Sequence, residues 1–161
     1  MTRLLVVDDH DVVRQGLVTS LKTHGYSSIE TAATIKESRS KVAAFNPEAV
    51  IVDINLPDGS GLELVQWIRK ISATVAIIVL SLNEPSLFAH LARSAGANAY
   101  ISKSRPIDEI VSTLNFAVAN PGISVQRIVD AWLPKNYHLF PNPVKYNQVF
   151  EDRTGFLPNL C

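Results

Sequence analysis

The stretch Leu4-Leu5-Val6-Val7-Asp8-Asp9-His10, residues 4–10, decides the fold. Its four consecutive apolar residues are typical of a strand buried on both faces, and the abrupt change to acidic residues marks where the strand ends. Similar short apolar runs return at residues 49–52, 75–80 and 99–101, and a weaker one lies at 28–32. The sequence therefore predicts five buried strands.

Amphipathic segments separate these runs. Val13, Leu17 and Leu21 recur at a spacing of four, which predicts a helix that buries this stripe. Thr34 followed by Glu37 is the pattern of a capping box at the start of another helix. Strands and helices that alternate over the first 120 residues predict an α/β fold with a parallel sheet and helices on both sides.

Composition limits the possible functions. The chain has 161 residues, with 15 basic and 15 acidic side chains, so its formal net charge is zero. A neutral chain is not expected to bind nucleic acid through bulk positive charge. A single cysteine, Cys161, favours a reducing compartment. The first apolar run is too short for a signal peptide, and no run approaches the roughly 20 residues that span a bilayer. We expect a soluble, cytoplasmic protein.

Polar side chains follow the predicted strands. Asp8 and Asp9 end the first strand, and the third, fourth and fifth strands deliver Asp53, Ser81 and Lys103. Parallel strands present their carboxyl ends at one edge of the sheet, where α/β proteins bind ligands. Three carboxylates, a hydroxyl and an ammonium group should therefore share one pocket.

The residue types in this pocket indicate phosphoryl chemistry. Two carboxylates about 4 Å apart repel by roughly 4 kcal/mol at an effective dielectric near 20, so the cluster favours a divalent cation. Oxygen ligands are the ones that Mg²⁺ prefers. A carboxylate beside such an ion can attack phosphorus and form an aspartyl phosphate. Lys103 and Ser81 would then stabilise phosphate oxygens.

Four motifs, LLVVDDHDVVRQGL, VDINLPDGSG, IVLS and AYISKS, resemble the receiver domain of two-component response regulators. The DDH start and DINLPDGSG are most similar to the NarL/FixJ (LuxR-type) class, and the resemblance covers residues 3–119. It implies a flavodoxin-like (βα)5 fold whose five-stranded parallel sheet has the strand order 2-1-3-4-5. We place the receiver domain at residues 1–120 and a C-terminal extension at 121–161.

The resemblance also implies residue roles. Asp53 would be the phosphoacceptor, which a sensor histidine kinase phosphorylates. Asp8 and Asp9 would hold Mg²⁺ together with Asp53 and the backbone carbonyl of Asn55. Phosphorylation would alter the surface of the fourth helix, fifth strand and fifth helix. Three further residues would act on the phosphoryl group or report it: the phosphate-binding Lys103 and the switch pair Ser81 and Tyr100.

Structural alternatives exist for the acidic motif. Asp8 and Asp9 are also suited to capping the first helix. His10 beside them is either a metal ligand or a helix-start residue at the rim of the pocket, and the sufficiency of oxygen ligands favours the rim.

The expected function is a phosphoacceptor response regulator rather than an enzyme. Asn55, two residues after Asp53, is not the second carboxylate that a hydrolase would use as general acid, so we expect at most slow autodephosphorylation. The alternative function is a phosphorylation-controlled DNA-binding transcriptional regulator whose effector domain is missing or degenerate.

The segment 121–161 carries five of the nine prolines and six of the twelve aromatic residues. With four basic residues and one helical pattern, it does not resemble a helix-turn-helix domain, so we expect no direct DNA binding by this chain. Three interpretations remain: the truncated or altered end of a longer regulator, a loosely packed extension, or a dimerisation or docking arm. The arm would use four aromatic residues: Trp132, Tyr137, Phe140 and Tyr146.

Overall fold

The computed structural model describes residues 1–82 and 85–122, except for the side chains of 85–87. The three interpretations of the segment 121–161, including the arm built on Trp132 and Tyr137, concern a segment of which residues 123–161 lie outside the described residues. The boundary near residue 121 therefore stays a prediction.

Five parallel strands form the main sheet, in the order β2-β1-β3-β4-β5. Valine and isoleucine dominate its central strands, as expected where helices cover both faces of a sheet. The predicted flavodoxin-like order 2-1-3-4-5 is thus confirmed. The strands are β1 (Arg3–Val7), β2 (Ser28–Ala32), β3 (Ala49–Asp53), β4 (Ala76–Ser81) and β5 (Ala99–Ser102).

Five helices cover the sheet: α1 (Asp11–Thr23), α2 (Ile35–Phe45), α3 (Gly61–Ile71), α4 (Pro85–Ala95) and α5 (Ile107–Ala119). Helix α1 contacts α5, whereas α3 contacts both α2 and α4, which gives one layer on each side of the sheet. The predicted capping box is present: Thr34 Oγ1 accepts from the Glu37 N–H at 3.0 Å, and Glu37 Oε2 accepts from the Ala33 N–H at 2.9 Å. Within the described residues, no helix has the length and apolar character needed to cross a membrane.

The core lies between the sheet and its helices, and every residue of β3 and β4 is buried. On α1 the predicted stripe is only partly buried. Leu21 is buried and Leu17 packs partly against the core, but Val13 is 45% exposed. The prediction for Val13 is therefore wrong, because the buried face of α1 is confined to its C-terminal half.

A short antiparallel ribbon, Asn55–Leu56 with Gly59–Ser60, joins β3 to α3. The turn returns α3 so closely to the end of β3 that the Gly61 N–H donates to the Ile54 carbonyl at 2.6 Å. A methyl group on Gly61 would lie 2.9 Å from the carbonyl carbon of Asp53 and would overlap its oxygen. Only glycine therefore fits at this junction.

We expect Gly61→Ala to lower the free energy of unfolding by about 1–3 kcal/mol, the usual cost of overpacking, since the clash is with backbone that cannot rotate away. Urea denaturation measures this change. The control is Gly16→Ala inside α1, where a Cβ meets nothing within 4 Å and should stabilise by about 0.5–1 kcal/mol. Equal stability of Gly61→Ala and the wild type would contradict the close approach.

Candidate functional site

The predicted polar residues meet at the carboxyl edge of the sheet. Asp8 follows β1 directly, Asp53 and Ser81 end β3 and β4, and Lys103 follows β5. The parallel register aligns these ends, because Asp53 pairs with Leu80 and Ser81 pairs with Ser102. Asp8 is 3% exposed and Asp53 is 4% exposed. The site thus contains two carboxylates that are almost removed from solvent.

Lys103 joins these two carboxylates. Its Nζ donates to Asp8 Oδ2 at 2.7 Å and to Asp53 Oδ2 at 2.8 Å. Burial alone lowers the pKa of Lys103, but the hydrogen bonds and charges of Asp53 and Asp8 outweigh it and raise that pKa above its ordinary value. The lysine is therefore a fixed cation at neutral pH.

The acidic pair does not cap α1. The N-cap residue is His10, and its side chain makes no capping hydrogen bond. Asp8 Oδ1 accepts instead from the N–H of His10 itself, at 2.9 Å, which stabilises the turn before the helix. The capping interpretation of Asp8 and Asp9 is therefore wrong.

The side chains of Asp8, Asp9, His10 and Asp53 each bring one potential ligand atom to a common point, and these atoms lie within 4.8 Å of one another. Asp9 Oδ1 is buried and has no hydrogen-bond partner among the described residues. An orphaned, buried carboxylate oxygen beside further carboxylates is stabilised by a cation. The donor set therefore fits a divalent ion such as Mg²⁺, which binds oxygen ligands.

Ser81 and Tyr100 lie on adjacent strands. Tyr100 pairs with Val79, two residues before the Ser81–Ser102 pair, so Ser81 and Tyr100 project from the same face of the sheet. Both side chains are fully buried. The Ser81 carbonyl also accepts the Lys103 N–H at 2.9 Å, which holds the lysine beside β4.

Asn55 lies at the rim of the pocket. Its side chain is exposed, and its backbone N–H donates to Asp53 Oδ1 at 3.2 Å. The ribbon thus returns the backbone of Asn55 to the carboxylate that precedes it by two residues.

Asp58 makes a contact with α2 that sequence reasoning missed. Its Oδ1 accepts from the Ile35 N–H at 2.8 Å and its Oδ2 from the Lys36 N–H at 3.0 Å, so it satisfies two free N–H groups at the start of α2. These two hydrogen bonds lower the pKa of Asp58. The loop that follows Asp53 is thereby attached to α2. The Asp-Gly pair at 58–59 indicates a turn but carries no signal for a distant helix.

Replacing Asp58 with alanine should lower the free energy of unfolding at neutral pH, because two N–H groups of α2 lose their acceptors. A carboxyl whose pKa is lowered in the folded state stabilises it above the ordinary carboxyl pKa, about 3.9, and loses this contribution as the pH falls through the lowered value. The difference from the wild type should therefore shrink in acid. Urea denaturation across the acid range measures it, and Asp58→Asn, which keeps an acceptor without the charge, is the control. A difference independent of pH would contradict the role of the charge.

The fold and the lysine-bridged acidic edge together define a class of signalling domain. The sequence profile of the response regulator receiver domain matches residues 4–115, and the chain belongs to this family. The resemblance to receiver domains of two-component response regulators is thus confirmed.

Two relatives among characterised proteins illustrate the similarity. The KDP operon transcriptional regulatory protein KdpE of Escherichia coli is 36% identical over 118 residues, which cover 73% of this chain and 52% of KdpE. The response regulator GacA of Pseudomonas protegens is 28% identical over 142 residues, covering 84% of this chain and 67% of GacA. The chain therefore spans about half the length of KdpE and two thirds of that of GacA.

Solved structures of response regulators have the same fold as this chain. A LuxR-family DNA-binding response regulator from Staphylococcus aureus superposes with a TM-score of 0.69 at 28% identity, over 73% of this chain and 99% of the other. A CheY-like receiver domain protein from Methanospirillum hungatei has the same TM-score at 26% identity, over 74% and 94% of the two chains. The first of these agrees with the predicted NarL/FixJ (LuxR-type) class.

Proposed function

We propose that this chain is a phosphorylation-controlled switch in which Asp53 accepts a phosphoryl group from a sensor histidine kinase. The observation that carries the proposal is the pair of hydrogen bonds from Lys103 to Asp8 and Asp53, which places a permanent cation beside a nearly buried carboxylate. A structural ion pair would need one carboxylate, whereas this site gathers three.

The transfer makes one bond and breaks one bond. A carboxylate oxygen of Asp53 attacks phosphorus, and the P–N bond to the kinase histidine breaks, so that the imidazole leaves with the electron pair. Asp53 Oδ1 is held by the Asn55 N–H and Oδ2 by Lys103, which fixes the carboxylate plane for attack. Lys103 and the Ser81 hydroxyl then stabilise the charge on the phosphoryl oxygens.

The proposed metal ligands are Asp8, Asp9, Asp53 and the backbone carbonyl of Asn55. When bound there, Mg²⁺ neutralises carboxylate charge and polarises the phosphoryl oxygens. The orphaned Asp9 Oδ1 supports this assignment, since Lys103 reaches Asp8 and Asp53 but forms no hydrogen bond with Asp9.

The proposed output is a binding event and not catalytic turnover. Asn55 stands where a phosphatase of this chemistry would carry a second carboxylate, so autodephosphorylation should be slow. Ser81 and Tyr100 share one face at the site, which supports their proposed role as the switch pair. The surface that responds to phosphorylation would be built from α4, β5 and α5. A second copy of the chain, forming a homodimer, or a downstream protein in the cytoplasm would bind it.

A second candidate is a phosphorylation-controlled DNA-binding transcriptional regulator whose effector domain is missing or degenerate in this chain. The similarity to GacA covers 84% of the chain and therefore extends beyond Gly122, into the segment where a regulator would continue toward its effector domain. Retardation of duplex DNA by the phosphorylated chain would show that a degenerate effector still binds DNA, and it would favour this candidate over the protein-binding switch.

The proposal is tested by incubating the full chain with acetyl phosphate and Mg²⁺ and measuring the intact mass. We expect the gain of one phosphoryl group, which hydroxylamine removes because it is an acyl phosphate. Chelation with EDTA should prevent the gain. Absence of labelling, or labelling that survives chelation unchanged, would overturn the proposed reaction.

A further inference from the structure

His10 is the N-cap residue of α1, but its side chain does not cap the helix. N-cap positions favour Ser, Thr, Asp and Asn because their short side chains accept free N–H groups of the first turn. The His10 side chain makes no such bond to α1. It is 66% exposed, yet its Nδ1 faces the acidic cluster, 3.1 Å from Asp9 Oδ1 and 3.4 Å from Asp8 Oδ1. The imidazole is therefore available for a contact other than capping.

The contact between His10 and Asp9 has the distance of an ion contact but not the geometry of a hydrogen bond. Although Nδ1 is 3.1 Å away, Asp9 Oδ1 still has no hydrogen-bond partner in the described part of the chain, and it is buried. An imidazole nitrogen and a carboxylate oxygen that lie this close without a hydrogen bond can be brought into favourable contact by a shared cation.

Lys103 leaves this volume open. Its hydrogen bonds use the Oδ2 atoms of Asp8 and Asp53, on one side of each carboxylate. Among the described residues, the Oδ1 atoms of Asp8 and Asp53 accept hydrogen bonds only from the backbone N–H groups of His10 and Asn55 respectively, so each keeps lone-pair capacity. A cation on the Oδ1 side would not displace the lysine.

We propose that His10 Nδ1 is a ligand of the divalent cation at the Asp8–Asp9–Asp53 site and shifts its selectivity toward transition metals. This inference rests on the proposed function, because it adds a ligand to the proposed metal site. Imidazole nitrogen suits Fe, Ni, Cu and Zn ions best, and Mn²⁺, which shares the oxygen ligands of Mg²⁺, accepts an imidazole more readily than Mg²⁺ does. One nitrogen added to an oxygen site therefore strengthens Mn²⁺ binding more than Mg²⁺ binding.

The experiment compares the wild type with His10→Asn in the full chain. Isothermal titration should show that the substitution weakens Mn²⁺ binding by about tenfold or more, since even indirect partners of a metal typically contribute on that order. Mg²⁺ binding should change much less. Pulsed electron paramagnetic resonance of bound Mn²⁺ should show nitrogen coupling that is lost in His10→Asn. His90→Asn on α4 is the matched control and should retain the coupling.

The outcomes separate this inference from the proposed function. Mn²⁺ that binds the wild type without nitrogen coupling, or with equal affinity in His10→Asn, overturns the role of His10 while Asp53 labelling with Mg²⁺ stands. A wild type that binds no Mn²⁺ also overturns it. Failure of labelling in a chain whose Mn²⁺ shows the histidine coupling overturns the proposed phosphoryl transfer and leaves the ligand assignment intact.

Discussion

Replacement of Asp53 by asparagine is expected to abolish phosphoryl incorporation from acetyl phosphate. An amide oxygen is not nucleophilic enough to attack phosphorus, whereas a carboxylate is, and the carboxylate of Asp53 is held in place by its hydrogen bond from Lys103. The substitution keeps the size of the side chain and an oxygen that accepts the Asn55 N–H or the lysine. The fold should therefore persist while the reaction is lost.

Intact-mass measurement of both proteins after equal incubation checks this result. The control is Asp108→Asn in the first turn of α5, where the side chain is 84% exposed and lies outside the acidic pocket. It should be labelled as fully as the wild type. Labelling of Asp53→Asn to the wild-type extent would assign the phosphoacceptor to another residue.

Replacement of Lys103 by methionine should lower the free energy of unfolding by about 3 kcal/mol when no divalent cation is present. The cost is that of leaving a buried carboxylate without its partner, and here two carboxylates lose the same cation. Mg²⁺ should restore part of the loss by mass action, because a cation that binds only the folded chain stabilises it. Added Mg²⁺ should therefore stabilise Lys103→Met more than the wild type.

Urea denaturation with and without Mg²⁺ measures both effects, and Lys70→Met, at an exposed position on α3, is the control. The raised pKa of Lys103 means that its contribution is present below its ordinary value of 10.5 and is lost as the pH rises through the folded-state value. The difference between wild type and Lys103→Met should then be constant near neutrality and decrease only in strong alkali. A variant as stable as Lys70→Met in the absence of cation would show that the ion pairs contribute nothing to the fold.

Much of the architecture is encoded locally. Runs such as Leu4–Val7 show their burial on both faces directly, and the polar residue that follows each run marks the edge of the sheet. Because parallel strands must end at one edge, the meeting of Asp8, Asp53 and Lys103 follows from strand order alone. Sequence reasoning therefore predicted both the fold and the membership of the acidic pocket.

Other features of the structure depend on contacts between residues far apart in the sequence, which no local sequence pattern encodes. Asp58 reads as a turn residue, and its bonds to α2 exist only because the loop after β3 folds back on a helix more than 20 residues earlier in the chain. Val13 fits the apolar spacing of α1, but the packing of the neighbouring elements decides where that helix is covered. The division of the Asp8 and Asp53 oxygens between Lys103 and backbone N–H groups likewise requires coordinates.

The loop between Asp53 and α3 has an evolutionary consequence. Most of its positions are constrained, since Asp58 anchors α2, the Ser60 hydroxyl accepts the Leu62 N–H at the start of α3, and Gly61 abuts the Asp53 backbone. Asn55 and Pro57 are exposed instead. Selection, or an engineer, can therefore vary these two positions of the loop that follows the proposed phosphoacceptor with little penalty in folding and without redesigning the domain.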